Sequence, residues 1–241
     1  RDSSVTGVQT CALPISIHTS IGVVQSQDRL NQTLQGLKTL REKAPNALIF
    51  LAETSVTELQ PDVIDALSKY TNVNLIFTGD QDLMSAAEQG RKSEAEVMLL
   101  HKTLFTLKNN VELSKILSSI RRIHKLSGRT DIIDGFNPDV YSDDKLFGKY
   151  VFKKRIPSWM PEHQQKSSGA DHLYITRMYS FCMSLFDDYY ATLPLIYRKI
   201  GEFSIDTEHS HFASIDKSKV VEFDNLYCQG MLAGNGQVEV Y

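Results

Sequence analysis

The alternation of short apolar runs with amphipathic stretches in the first third of the chain constrains the fold most. Apolar runs at Ile17–Val24, Ala47–Leu51 and Val73–Phe77 are typical of strands buried on both faces of a parallel sheet. Four leucines spaced four, three and three residues apart predict a helix between the first two runs, and Thr57–Tyr70 predicts another. This order favours right-handed crossovers and a mostly parallel sheet flanked by helices. The leucines are Leu30, Leu34, Leu37 and Leu40.

The later sequence predicts a C-terminal part of mixed character. Ser93 and Glu96 match a capping box, so a helix is predicted to begin at Ser93. Arg122–Leu126 is typical of a strand, whereas Met178–Tyr190 predicts an apolar helix that continues past a kink at Pro194. We therefore expect a Rossmann-like α/β fold. Further strands are predicted at Tyr150–Ile156 and Val220–Phe223.

Composition excludes several classes of protein. The 241 residues carry 26 Lys and Arg against 29 Asp and Glu, a net charge of −3. Nucleic-acid binding favours a basic balance, so no nucleic-acid partner is expected. No apolar run approaches the roughly 18 residues of a transmembrane segment, and the three cysteines form no C-x-x-C pair. A soluble, cytoplasmic protein is expected.

The N-terminal segment, residues 1–16, stands apart from the rest. Its stretch Val5–Ile15, VTGVQTCALPI, resembles the in-frame translation of a common short-read sequencing adapter. Such a segment is excluded from fold reasoning, which leaves residues 17–241 as a single domain. We expect Arg1–Thr10 to make few contacts and Ala12–Ser16 to extend a strand whose natural beginning is missing.

Polar residues after the predicted strands are candidate ligand contacts, because ligands of parallel sheets bind beyond the carboxyl ends of the strands. Lys92 is a further candidate, since it precedes a predicted helix N-terminus that favours an anion. The window Arg121–Arg155 holds nine Lys and Arg against five Asp. That excess indicates a small phosphorylated ligand or merely a solvated basic face. The strand-end candidates are Thr19, Ser20, Glu53 and Asp80.

The densest group of polar residues is Lys125-Leu-Ser-Gly-Arg-Thr-Asp131. Here the sequence resembles uncharacterised phage and environmental proteins of the glycosyltransferase A type, and more distantly glycosyltransferases of lipopolysaccharide synthesis. The resemblance covers most of residues 17–241. The other matching stretches are Ser16–Ser20, Arg29–Thr33, Glu53–Ser55, Lys92–Glu96 and Asp171–Tyr179.

The resemblance implies a nucleotide-sugar donor over the strand ends, with its diphosphate near Ser127, Gly128 and Arg129. The usual metal motif of this fold is Asp-x-Asp, whereas Arg129-Thr-Asp131 has a cation at the first position. Either Asp131 holds Mn or Mg with other ligands and takes part in catalysis, or Arg129 neutralises the diphosphate without metal. Asp131 as a simple loop former is the third possibility.

Two further groups are candidates for the acceptor side. We interpret Asp206–His211 as an extended strip in which Glu208 or His209 is the base and His211 is a late metal ligand. Alternatively, His209 and His211 are an inert pair of surface histidines. Trp159, in a Pro-flanked loop, suits stacking on a sugar or packing of the loop. Asp171, within a matching stretch, is the second acceptor candidate.

The resemblance implies a glycosyltransferase that moves a sugar from a nucleotide-sugar donor to a hydroxyl of a glycan or lipopolysaccharide-type acceptor. A nucleotidyltransferase-like enzyme is one alternative, but Ile17–Gln25 offers only Gly22 for a phosphate loop. A non-catalytic carbohydrate- or protein-binding module is the other. In the favoured interpretation, one cleft contains Glu53, Lys92, Arg129 and Asp131.

Arg129 provides the first test. Arg129→Ala should weaken binding of a nucleoside diphosphate about tenfold or more, because a charge-assisted contact contributes roughly 1.5–3 kcal/mol. Arg129→Lys should restore only part of the affinity, since the bidentate fork is lost. Isothermal titration with the diphosphate and the bare nucleoside measures both. Equal losses for the two ligands would contradict a phosphate contact.

Overall fold

The computed structural model describes residues 5–11, 26–55, 57–128, 130–231 and 237–241. The strands are β1 Val5–Cys11, β2 Leu48–Ser55, β3 Val73–Thr78, β4 Ile120–Ser127, β5 Thr130–Ile132, β6 Tyr150–Lys153, β7 Ile156–Pro157, β8 His172–Leu173, β9 Met178–Cys182, β10 Val220–Phe223, β11 Cys228–Met231 and β12 Val238–Val240. The helices are α1 Ser26–Lys43, α2 Pro61–Ser68, α3 Gln81–Glu88, α4 Lys92–Asn109, α5 Val111–Leu117, α6 Glu162–Ser168, α7 Phe186–Phe203 and α8 Thr207–Ser214.

A seven-stranded sheet in the order β10-β6-β9-β4-β1-β2-β3 forms the centre of the molecule. β9 runs antiparallel to its neighbours β4 and β6, and the other neighbouring pairs are parallel. A small antiparallel sheet, β12-β11-β5, and the pair β7-β8 complete the C-terminal part. The predicted α/β fold with a mostly parallel sheet is confirmed.

Helices cover both faces of the central sheet, and β2 shows why its apolar run is continuous. Ile49 and Leu51 pack into a core shared with α1, whereas Phe50 and Ala52 pack into a core shared with α4. Alternate residues of a strand point to opposite faces, so both sets must be apolar. The face that carries α1 and the face that carries α4 are therefore distinct surfaces. None of the helices that the structure describes has the length and apolar composition needed to span a bilayer.

The predicted helix at Met178–Tyr190 is wrong in its first part. Met178–Cys182 is strand β9, which lies between β4 and β6. Tyr179 and Phe181 enter the core below α4, whereas Met178 enters the opposite core. This alternation suits a central strand buried on both faces. α7 begins only at Phe186 and continues to Phe203 as one helix that contains Pro194.

The expectation of few contacts is also wrong for Val5–Thr10, whereas residues 1–4 lie outside the described part of the chain. Val5–Cys11 forms β1, which pairs in parallel with both β2 and β4. Without a strand at this position, β2 and β4 would each present an unpaired edge in the middle of the sheet. The origin of the segment stays a prediction. The expected roles of Ala12–Ser16 and Ile17–Val24 lie outside the described residues.

Gly36 of α1 tests the packing of this helix. A Cβ at Gly36 would lie 2.9 Å from the Thr130 carbonyl oxygen in β5, whereas a Cβ at Gly201 of α7 would meet nothing within 4 Å. Gly36→Ala should destabilise the fold by about 1–3 kcal/mol, since backbone must move. Gly201→Ala should stabilise it by about 0.5–1 kcal/mol. Urea denaturation of both variants measures the free energies, and a stabilised Gly36→Ala protein would contradict the packing.

Candidate functional site

The carboxyl ends of β1, β2, β3 and β4 lie at one edge of the central sheet. β9 runs the opposite way, so its first residue, Met178, pairs with Leu126 near the end of β4. The Ser127 N–H donates to the Arg177 carbonyl at 2.8 Å just beyond this pair. Polar side chains meet here in a group that we call the strand-end cluster. Its members are Glu96, Lys125, Ser127, Thr176 and Glu208.

Lys125 is the buried centre of the strand-end cluster, with 1% of its side chain exposed. Its Nζ forms an ion pair with Glu96 and donates to Ser127 Oγ at 2.9 Å and to the Thr176 carbonyl at 2.8 Å. The buried cation is thus both paired and hydrogen-bonded, as low polarity requires. Burial alone would raise the pKa of Glu96, but the charge and hydrogen bond of Lys125 hold this pKa below its usual value. Glu96 is therefore ionised at neutral pH.

Glu208 is the second carboxyl group of the cluster and was predicted to be catalytic. Its Oε1 accepts a hydrogen bond from Thr176 Oγ1 at 3.0 Å. Burial, followed by the negative charges of Asp206 and Glu96, raises the pKa of Glu208 to about 7. A group with such a pKa is matched to proton transfer near neutral pH.

The segment Asp206–His211 is not the extended strip that the sequence suggested. It starts α8, because Asp206 is the N-cap and its Oδ1 accepts the His209 N–H at 2.8 Å. Asp is a favoured N-cap, and the four residues after it have no strand partner in the described part of the chain. Positions two apart on a helix point to nearly opposite sides, so His209 and His211 have different surroundings.

His211 does not fit the predicted role of a metal ligand. Its Nδ1 donates to the Thr207 carbonyl at 2.8 Å and its Nε2 accepts from the Tyr189 hydroxyl at 2.9 Å. The Tyr189 hydroxyl also contacts the Tyr179 hydroxyl. Burial lowers the pKa of His211 to about 4, so the ring is neutral. Both ring nitrogens are occupied by this internal network.

His209 belongs to a separate chain of hydrogen bonds beside the strand-end cluster. Its Nδ1 lies 2.7 Å from Asp206 Oδ1, and its Nε2 lies 3.0 Å from Ser158 Oγ. The Trp159 ring stands edge-on to the His209 ring, with centroids 4.8 Å apart. The imidazole is fully buried, whereas 69% of Trp159 is exposed. Trp159 thus offers an aromatic surface above a fixed histidine.

The loop that carries Trp159 is held at both ends. The Ser158 N–H donates to the Asp171 carbonyl at 2.9 Å, and Gln165 Nε2 donates to the Met160 carbonyl at 2.6 Å. The first of these bonds places Asp171 beside Ser158, so the two predicted acceptor residues, Trp159 and Asp171, belong to neighbouring segments. The Asp171 side chain is exposed.

Asp80, a predicted donor contact, has a structural role. Its side chain caps α3 by accepting the Leu83 N–H at 3.2 Å, and it pairs with Lys102 at 2.8 Å. Burial would raise the pKa of Asp80, but the hydrogen bonds from Lys102 and Leu83 lower it overall. The carboxylate is therefore engaged in fixing α3 against α4.

The predicted capping box at Ser93 is wrong. α4 begins at Lys92 with Arg91 as its N-cap, and Glu96 pairs with Lys125 instead of reaching back to Ser93. Lys125 is buried and needs a partner for its charge, and Glu96 supplies it. Lys92 is exposed one turn before Glu96, so the α4 N-terminus lies near the strand-end cluster.

Glu53 and Asp131 lie away from this cluster. Glu53 is fully buried in β2, where its Oε1 accepts the Thr54 N–H at 3.0 Å. Asp131 lines a groove of about 400 Å³ against α1, with Gln35 and Gln229 among its neighbours. Burial raises the pKa of Asp131, although a hydrogen bond that its carboxylate accepts from Gln229 lowers it in part.

The predicted single cleft is thus divided between two faces of the sheet. Lys92 lies on the α4 side, and Asp131 lies on the α1 side. Ser127 belongs to the strand-end cluster, and Gly128 follows it half-buried. The remaining predicted donor residues, Thr19, Ser20 and Arg129, lie outside the described residues.

No protein-family model and no curated protein sequence matches the chain. Solved structures do match. Core-mannan synthase A (CmsA/Ktr4) from Aspergillus fumigatus, in its Mn/GDP form, superimposes with a TM-score of 0.53 at 12% identity, over 100% of this chain and 82% of that one. The mannosyltransferase Ktr4p from S. cerevisiae superimposes with a TM-score of 0.53 at 12% identity, over 91% of this chain and 69% of that one.

The galactosyltransferase LgtC, in complex with donor and acceptor sugar analogs, gives a TM-score of 0.53 at 9% identity, over 90% of this chain and 73% of that one. At such identities the likeness concerns the fold alone. The chain therefore has a glycosyltransferase A-like fold, which confirms the fold implied by the sequence resemblance.

Several residues of the site were not singled out from the sequence. Glu96 was assigned to a cap, although its spacing of four from Leu100 places it on the inward face of α4. A carboxylate in an apolar stripe signals a buried partner. Lys125 was named only as part of the densest polar group, but it gives the same signal, since it shares a strand face with buried Ile123, two residues before it in β4. Nothing in the local sequence marks Thr176.

Glu208 predicts a pH dependence of stability. Its folded pKa of about 7 exceeds the ordinary value of 4.5, so the folded protein binds the extra proton and loses stability as pH rises through this window. Glu208→Gln removes the ionisation. Its free energy of unfolding, relative to the native protein, should increase from pH 5 to pH 8.

Urea denaturation at both pH values measures this change, with the exposed Glu202→Gln as a matched control. A constant difference between Glu208→Gln and the native protein would contradict the raised pKa.

Proposed function

We propose that the chain is a glycosyltransferase that moves a sugar from a nucleotide-sugar donor to a hydroxyl of a glycan or other acceptor. The single observation that carries the proposal is Glu208, a carboxyl group with a pKa of about 7 at the carboxyl edge of a glycosyltransferase A-like sheet. The fold supports the same reaction class. One structural neighbour is in a Mn/GDP form and another holds donor and acceptor sugar analogs.

In the proposed mechanism Glu208 is the base that removes the proton of the acceptor hydroxyl. Thr176 holds one carboxyl oxygen, and we assign the other to the acceptor. Burial and the charges of Asp206 and ionised Glu96 keep the proton affinity of Glu208 high. Lys125 compensates the negative charge of Glu96 itself. The arrangement resembles other active sites in which two carboxyl groups have pKa values driven apart by their surroundings.

The acceptor sugar would lie on Trp159, whose exposed ring contacts His209, the residue next to Glu208 in α8. Sugar rings pack their apolar face on aromatic side chains, and the indole offers the largest such surface. Asp171 at the same rim would accept hydrogen bonds from sugar hydroxyls. His209 is turned toward Ser158, so we assign the base role to Glu208 alone.

Cations would stabilise the departing diphosphate. Lys92 at the exposed start of α4 and Arg129 after β4 are the proposed contacts. Mn or Mg would supply further positive charge, but the described residues contain no group of three His, Cys, Asp or Glu side chains that fits a metal ion. Both ring nitrogens of His211 are hydrogen-bonded within the protein, and the side chains beside Asp131 in its groove are mostly amides. No step is therefore assigned to a metal.

A nucleotidyltransferase is the second candidate, but nothing in the described site favours it over sugar transfer. Asp80 is an N-cap and Glu53 is buried in β2, so the described strand ends do not present paired free carboxylates.

The test is hydrolysis of nucleotide sugars, with and without added acceptor sugars and Mn²⁺, by native protein and Glu208→Gln. We expect Glu208→Gln to lower kcat by about 10²–10⁴, the usual contribution of general base catalysis. The native rate should rise with pH around an apparent pKa near 7. Thermal shift with nucleoside diphosphates checks that the variant still binds the donor.

Glu202→Gln, a change on the exposed face of α7, serves as the matched control and should keep full activity. Glu208→Gln with native turnover would refute the base assignment. A native protein that neither binds nucleoside diphosphates nor turns over any nucleotide sugar would refute the proposed function.

A further inference from the structure

Ser158, His209 and Asp206 form a hydrogen-bonded chain that the proposed transfer reaction does not use. Ser158 Oγ lies 3.0 Å from His209 Nε2, and His209 Nδ1 lies 2.7 Å from Asp206 Oδ1. We propose that Ser158 is a nucleophile with a second activity, the hydrolysis of acyl esters. The class of substrate is an O-acylated sugar, and this assignment of the sugar rests on the proposed function.

The order of atoms matches what nucleophilic catalysis by serine requires. A carboxylate only accepts hydrogen bonds, so Asp206 fixes the proton on His209 Nδ1. The lone pair of Nε2 is then directed at Ser158 Oγ, where it can take the serine proton. Triads recur on unrelated folds and are recognised by this geometry, whatever the order of the residues in the chain.

The surroundings hold the histidine and leave the serine accessible. His209 is fully buried, and Asp206 is fixed as the N-cap of α8. Ser158 is half-buried in the loop below exposed Trp159. The Met160 N–H donates to Ser158 Oγ at 3.1 Å, which favours a developing negative charge on that oxygen.

A donor for the oxyanion is also present. The amide that follows a nucleophilic serine commonly supplies one hydrogen bond to the oxyanion. Here that amide belongs to Trp159, and its N–H has no acceptor within the described residues. Trp159 would therefore serve twice, with its backbone at the acyl oxygen and its indole under the sugar ring.

The reaction balances with water as the only co-reactant. Ser158 Oγ attacks the acyl carbon while its proton passes to His209 Nε2. The bond between the acyl carbon and the sugar oxygen breaks, and His209 returns the proton to that oxygen. Water then cleaves the acyl-serine by the same route, which releases the acid and restores the serine.

The experiment uses the full chain and two probes that do not depend on the sugar. A fluorophosphonate should label one serine, which peptide mass spectrometry should identify as Ser158, and p-nitrophenyl acetate should be hydrolysed. Ser158→Ala should abolish both signals. Ser167→Ala, at an exposed serine of α6, should leave both unchanged.

Asp206→Asn keeps the test meaningful if Ser158→Ala fails to fold, because Asn is an equally good N-cap. It should slow labelling by about 10²–10⁴, since the histidine tautomer is no longer fixed. Trp159→Ala should raise KM for an acetylated sugar far more than KM for p-nitrophenyl acetate.

No labelling of Ser158 in the native protein, or an unchanged rate in Asp206→Asn, would overturn the proposal. Nucleotide-sugar turnover measured on the same samples keeps the two activities apart. Turnover without labelling would leave the transferase and remove the esterase. Labelling without turnover would do the reverse, and an unchanged KM in Trp159→Ala would remove only the sugar assignment.

Discussion

The buried ammonium group of Lys125 is the interaction on which the polar side of this molecule depends. A charge with 1% exposure in a central strand is tolerated only when every proton has an acceptor. Its three acceptors come from α4, from the end of β4 and from the segment before β9. Lys125 therefore fixes the position of Glu96 and, through Thr176, the position of Glu208.

The same arrangement separates the two carboxyl groups chemically. Glu96 contacts the cation and has a lowered pKa, whereas burial and the negative charges of Asp206 and Glu96 raise the pKa of Glu208. One group is a permanent negative charge and the other is able to exchange a proton near neutral pH. Beside them His209 has its tautomer fixed by Asp206, and His211 is kept neutral by burial. Each titratable group of α8 thus has a different role because the helix directs it into different surroundings.

The resemblance to glycosyltransferases and the polar side chains both indicate a site at the carboxyl edge of the central sheet. They do not indicate the same residues. Asp131, which the usual metal motif of this fold would bring to the donor, lies in a groove against α1 among amide side chains. The strand-end cluster lies on the α4 side. The proposed proton transfer therefore involves Glu208 and its neighbours, and the groove beside Asp131 is a separate surface of the fold.

The amino-acid sequence by itself determined the α/β architecture. The runs at Ala47–Leu51 and Val73–Phe77 and the leucine stripe of α1 require strands and helices with two covered faces, because hydrophobic periodicity is local. The same reasoning failed at Met178–Cys182, where an aromatic run fits a helix and a doubly buried strand equally well. Only its neighbours β4 and β6 decided between them.

The candidate site was decided almost entirely by the tertiary structure. Glu208 and His209 stood out in the sequence as titratable groups, but an extended strip and a capped helix direct them differently. Glu96 and Lys125 are 29 positions apart, and Ser158 and His209 are 51 positions apart. Such contacts depend on crossovers between strands, which no local pattern encodes. Burial then determines the charge of each group, so the chemistry follows from packing that exists only in the folded chain.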